Sequence, residues 1–147
     1  MDYIFERTQQ VPVELDDAFA FFSQARNLEA LTPPWLRFEV LRAPDELRYG
    51  SLIHYRLELV RLPIRWLTRI ATWQPPRSFV DEQILGPYPL WEHTHRFSPV
   101  EGGTEIYDHV RYRVPGGPLA PVTQRVVARW LEQIFDYRAK RLQEILG

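Results

Sequence analysis

Trp91, His93, His95 and Phe97 fall at alternate positions of the run Leu90–Ser98, directly after Gly86-Pro87-Tyr88-Pro89. Side chains alternate across a strand, so all four share one face. That face joins aromatic surface to two imidazoles able to donate, accept or exchange a proton, a combination that lines small-molecule cavities. It equally describes a sheet core holding two hydrogen-bonded histidines. A second run, Thr104–Val114, follows Glu101-Gly102-Gly103. In the register that sets Phe97 opposite Ile106, His95 meets Asp108, His93 meets Val110 and Trp91 meets Tyr112, so apolar faces apolar and imidazole faces carboxylate. A slip of one residue would set Phe97 against Glu105 and His93 against His109, poorer on both counts. The preferred register lets Asp108 orient His95 and raise its pKa.

Composition narrows the chemistry. Cysteine is absent, which removes disulfides, thiolate metal sites and cysteine nucleophiles. The 18 basic and 19 acidic residues leave a net charge of -1, so no surplus exists to hold nucleic acid or an anionic membrane. No Gly-X-Ser-X-Gly elbow, phosphate-binding loop or Gly-X-Gly-X-X-Gly fingerprint occurs. The N-terminal segment lacks a signal-peptide pattern and no apolar run approaches the ~20 residues of a membrane span, which predicts a cytoplasmic protein. His-X-His on a strand is also a metal-ligand pattern, and Gly86, His93, His95 and Glu101 approach cupin spacing. No histidine follows Pro115-Gly116-Gly117, however, and a long terminal helix is foreign to a jelly roll, so neither a metal nor a cofactor is assigned.

The elements that must position these residues read as one domain of 147 residues. Tyr3–Val11 alternates as a strand ended by Pro12. Asp16 and Asp17 open a short helix with the stripe Ala18, Phe19, Phe22, and Asn27 caps a second over Leu28–Leu31 that Thr32-Pro33-Pro34 must end. Strands follow over Leu36–Arg42, Ser51–Val60, Ile64–Gln74, Ser78–Leu85, Leu90–Ser98 and Thr104–Val114, with Ala43-Pro44-Asp45, Leu62-Pro63, Pro75-Pro76 and Gly86-Pro87 among the separators. Val122–Leu146 is the longest helical pattern, roughly 38 Å, long enough to cross a sheet. The expected fold is α+β, a curled antiparallel sheet over a long C-terminal helix in the order β-αα-β6-α. A sheet curled over a helix leaves a hollow, here expected to be an apolar void of roughly 300 Å³ or more with a polar end. Tyr55 and Trp66 join its lining, with Trp66, Thr68, Ile70 and Thr72 pointing inward because Arg65 and Arg69 take the other face. For Ser78–Leu85 both phases mix polar and apolar residues, and neither is assigned inward. His54 and His109 take the solvent phase. Gly86–Pro89 and Pro115–Pro118 are candidate lids at one mouth.

This order, together with Phe19-Ala20-Phe21-Phe22, Thr32-Pro33-Pro34-Trp35, Trp91-Glu92-His93-Thr94-His95-Arg96-Phe97 and Asp108-His109-Val110-Arg111-Tyr112, resembles the START-like (SRPBCC) superfamily, in its bacterial cyclase/dehydrase-like ligand-binding branch. The resemblance covers essentially the whole chain. It implies a helix-grip fold whose cavity takes lipids, sterols, polyketides, hormones or quinones, and it supplies no catalytic triad to carry over.

The leading expectation is therefore a non-catalytic binder of a hydrophobic small molecule, with Tyr55, Trp66, Trp91, His93, His95, Asp108 and Tyr112 as ligand-binding residues. The first alternative is a polyketide cyclase or dehydratase in which His93 or His95 exchanges protons while Tyr55 or Tyr112 polarises a carbonyl. The second is a regulatory protein-interaction module with a vestigial cavity.

Overall fold

A computed structural model describes residues 1–147. Alternation is strict in the first strand, β1 (Tyr3–Val11), whose odd-numbered side chains turn inward as far as Val11, where Pro12 removes the next ladder donor. Two short helices follow. Asp16 and Asp17 sit in the first turn of α1 (Leu15–Phe22), where the helix dipole favours them, and Ala18, Phe19 and Phe22 are buried. Asn27 lies inside α2 (Asn27–Leu31) rather than capping it, because its side-chain amide donates instead to the Phe21 carbonyl at 2.7 Å.

Six strands then run up and down: β2 (Glu39–Arg42), β3 (Leu52–Leu59), β4 (Leu62–Gln74), β5 (Ser78–Leu85), β6 (Leu90–Val100) and β7 (Gly103–Arg113). With β1 they form one antiparallel sheet in the order β1-β7-β6-β5-β4-β3-β2. The connection through α1 and α2 thus carries the chain from one sheet edge to the other. β2 begins later than Leu36, since Pro34–Leu36 make a 3-10 turn and Arg37 adopts a left-handed backbone. The β3–β4 hairpin turns at Val60-Arg61, both at positive φ, and not at Leu62-Pro63, which are paired with Leu59 and Glu58. A bulge between Ile70 and Thr72 reverses the phase of β4. Trp66, Thr68 and Ile70 therefore point inward as expected, but Thr72 is exposed and Trp73 packs against Phe19 and Phe79 in its place.

The long helix α3 (Ala120–Leu146) closes the open side of the sheet, burying Val127, Leu131, Phe135, Arg138 and Leu142 along one stripe. Its far half is tied to β1 by Gln9 on the Ala139 carbonyl, Gln143 on the Gln10 carbonyl and Arg7 on Asp136. Beneath α1 lies the larger part of the core, where Phe19 meets Phe79 and Phe97 edge-on. A second cluster joins Val110, Tyr112 and Val114 of the sheet to Val127, Leu131 and Phe135 of α3. Between them the sheet and helix stand apart. No helix is long and apolar enough to cross a membrane.

Candidate functional site

The gap between sheet and α3 is a cavity of about 160 Å³ lined by 18 residues, 13 of them apolar. It is smaller than the expected 300 Å³, for a packing reason. Trp66, Tyr88 and Trp91 gather at 5.0 to 5.6 Å between ring centroids and fill one end, while Tyr55 stacks on Trp66. A further void of about 40 Å³ lies beside it, sharing Tyr55, Asp81 and His95.

The β6–β7 ladder has the register that side-chain pairing favours, with Trp91 opposite Tyr112, His93 opposite Val110, His95 opposite Asp108 and Phe97 opposite Ile106. Of the seven candidate residues, Tyr55, Trp66, Trp91, His93 and His95 stand on the cavity wall. Asp108 lies one layer behind them, bonded to His93. Tyr112 is turned into the packing beside α3, where it contacts Tyr3, Tyr88 and Trp91 and shares a core cluster with Val127, Leu131 and Phe135 of the helix. Of the candidate lids only Gly86–Pro89 reaches the cavity, through Tyr88; Pro115–Pro118 do not line it. Gln83 bonds both the amide and the carbonyl of Tyr88, fixing that loop. Gly86 permits this, since a Cβ there would meet the Gln83 side chain at 2.5 Å. His54 is exposed and His109 half-buried, both away from the cavity.

Asp81 decides the polar chemistry. On β5 it is the register partner of His93, and with Phe79 and Gln83 it takes the inward phase. Both imidazole–carboxylate bonds run diagonally across the ladders: His93 Nε2 donates to Asp108 Oδ1 at 2.7 Å, and His95 Nε2 to Asp81 Oδ2 at 2.6 Å. Sheet twist brings one diagonal closer than the direct pair, so Asp108 grips His93 and not His95. The two imidazoles stack at 3.7 Å, and Phe79 covers the other face of His95 at 4.0 Å. The fifth member is Arg138 of α3, its guanidinium lying over Phe22 and Phe135, with Nη2 3.7 Å from Asp108 Oδ1.

Burial dominates the electrostatics. It drives the His95 pKa down to about 4, and the neighbouring His93 adds to the effect against the opposing bond to Asp81. The sequence-based expectation of a raised His95 is thus reversed, because the aromatic sandwich costs the imidazolium more than either carboxylate returns. Burial also works against the charged form of Asp108, yet the Arg138 guanidinium and the His93 bond outweigh it and hold the carboxyl well below its usual range. For Asp81, likewise, the His95 bond and the fields of the neighbouring imidazoles and Arg138 more than offset burial and lower its pKa. Tyr55 and Tyr88 are both raised by burial, Tyr88 to about 12, so neither phenol ionises near neutrality.

Sequence reading missed Asp81, whose strand offers no clean alternation, and Arg138, which did carry a signal: it occupies the stripe position between Phe135 and Leu142 where an apolar residue is expected.

The sequence profile of the family described as polyketide cyclase / dehydrase and lipid transport matches residues 3–147. The chain belongs to that family. The same fold is found in the Zhui aromatase/cyclase from a Streptomyces species (R1128), which is 13% identical with a TM-score of 0.77 over 98% of this chain and 93% of that one. Protein TTHA0849 from Thermus thermophilus gives 18% identity and a TM-score of 0.69, covering 98% of this chain and 95% of the other. Ara h 8.0201 gives 15% and 0.67, covering 97% and 98%. At these identities the likeness is one of fold. No curated protein sequence matches the chain. Binding of hydrophobic small molecules and polyketide cyclisation are both at home in the family.

Proposed function

We propose that the chain binds a compact hydrophobic molecule bearing one oxygen function, its apolar body between sheet and α3 and its oxygen against the His93–His95 end. The observation that carries this reading is the polarity of the cavity: 13 of its 18 lining residues are apolar, and Asp81, His93, His95 and Arg138 provide its acidic and basic groups. Size sets the class. A cavity near 150 Å³ accommodates a benzene-sized guest, so about 160 Å³ suits a single substituted ring. A longer quinone, lipid or polyketide chain would have to displace Tyr88 and Trp91.

One observation favours catalysis as a second reading. His93 and His95 stand on the wall of an apolar cavity, each oriented by a carboxylate, the placement that proton exchange with a ring-bearing ketone would require.

Native mass spectrometry of the protein purified from its own host tests the first reading, with an Ile134→Trp variant that fills the cavity from α3 as control. A copurifying aromatic or quinone-like species, absent from I134W, supports it. A bare chain whose Trp66, Trp91 and Trp130 emission no phenol or naphthol perturbs would end it. A mass change in the bound species on incubation would move the assignment to the catalytic reading.

A further inference from the structure

His95 has a carboxylate at each ring nitrogen. Asp81 Oδ2 lies 2.6 Å from Nε2, and Asp108 Oδ1 lies 3.6 Å from Nδ1, which is buried and has no hydrogen-bond partner. His93 bridges the same two groups, with Nε2 2.7 Å from Asp108 and Nδ1 3.9 Å from Asp81. An imidazole that donates at one nitrogen presents a lone pair at the other, and in both rings that second nitrogen faces a carboxylate. Two carboxylates share a single guanidinium, Arg138, which lies 3.7 Å from Asp108.

We propose that Asp81, His93 and His95 hold a single divalent transition-metal ion at the polar end of the cavity. Two imidazoles and one carboxylate are the donor set of zinc, iron(II) and cobalt(II) sites that keep positions open for a further ligand. Their ligating atoms lie within 4.8 Å of one another, and all three residues line the cavity. The hydrogen bonds leave suitable nitrogens, and the stacked rings, 3.7 Å apart, must splay for one ion to lie in both ring planes. His93 Nε2 is committed to Asp108, which leaves Nδ1 as the lone pair facing Asp81, and a carboxylate behind a ligating histidine is the support that fixes its tautomer. For His95 an ion at Nε2 would move the ring proton to Nδ1, giving that orphaned atom Asp108 as its partner.

The test needs no organic ligand, so its outcome is independent of the proposed function. Chelator-treated protein is titrated with Co²⁺ and with Zn²⁺ at pH 7. One equivalent of Co²⁺ should bind with visible d–d bands, displaced by Zn²⁺, and the His93 and His95 ring resonances should shift paramagnetically. Asp81→Asn, which keeps size and loses the charge, should weaken binding about 100-fold, and Asp108→Asn by about 10- to 100-fold, as for loss of a supporting carboxylate. The double variant H54Q/H109Q should bind as wild type does. If wild-type protein takes up no stoichiometric metal and its imidazoles merely gain a proton, the inference is overturned. Undiminished binding in D81N, or binding lost in H54Q/H109Q, overturns it equally. Should D81N fail to fold, the paramagnetic shifts in wild type decide alone: on His93 and His95 they support the site, on His54 or His109 they refute it.

Discussion

His95 should make the fold acid-labile in a window that begins well above the carboxylate range. Its pKa falls from 6.5 in the unfolded chain to about 4 in the folded one. Between those values the unfolded chain binds the proton and the folded chain does not, so stability rises with pH across the window and is lost on acidification. Each unit is worth about 1.4 kcal/mol, which makes the full effect about 3 kcal/mol; the side chain is 3% exposed, so solvent screening takes little from it. The perturbation is His95→Gln, which can still donate to Asp81 and cannot titrate. Urea unfolding, followed by tryptophan emission at half-unit steps from pH 7.5 to 4.5 with chelator present, gives both stability curves. Wild type should lose about 2 to 3 kcal/mol more than H95Q over that range. Parallel curves would refute the reasoning. So would wild type gaining on the variant as pH falls, the sign expected if a carboxylate raised the His95 pKa.

Arg138→Met should destabilise the fold by about 3 to 5 kcal/mol in urea, because it strands Asp108 in a buried site without its cation. Arg138→Lys should recover only part of that loss, since an ammonium cannot lie flat between Phe22 and Phe135 as the guanidinium does. Gly103→Ala should cost about 3 kcal/mol, a strained-backbone effect at the top of the usual range, because its Cβ would fall 2.0 Å from the Val11 carbonyl, which is main chain and cannot turn aside. Gly86→Ala should instead be mild in stability yet displace Gln83 from Tyr88, seen as faster amide exchange at Tyr88.

Most of the fold was legible because its signals are local. Pro12, Gly102-Gly103 and the period-two runs set the strands, and pairing chemistry alone selected the β6–β7 register that the structure has. The helix-grip architecture followed from element order, as the family match and the shared fold bear out. What failed was non-local. Thr72 was placed inward because a bulge leaves no mark in the pattern, and the hairpin turn was placed at Leu62-Pro63 because Val60-Arg61 carries none of the usual left-handed residues. In the site, pairing logic brought His95 opposite Asp108 but could not choose between direct and diagonal bonds, since sheet twist makes that choice. Asp81 stayed hidden for want of alternation in β5. The cavity was overestimated because aromatic residues assigned to its walls also stack on one another and occupy it.

Occupancy of the cavity itself is the most direct test. Protein labelled at the tryptophan indoles and histidine rings is titrated with phenol and, separately, with benzene, and followed by NMR. Saturable shifts of Trp66, Trp91 and Trp130, joined by His93 and His95 with phenol only, and abolished by Ile134→Trp, are the expected result. Shifts that never saturate, or that fall on residues away from the cavity and persist in I134W, would contradict a binding cavity with an apolar body and a polar end.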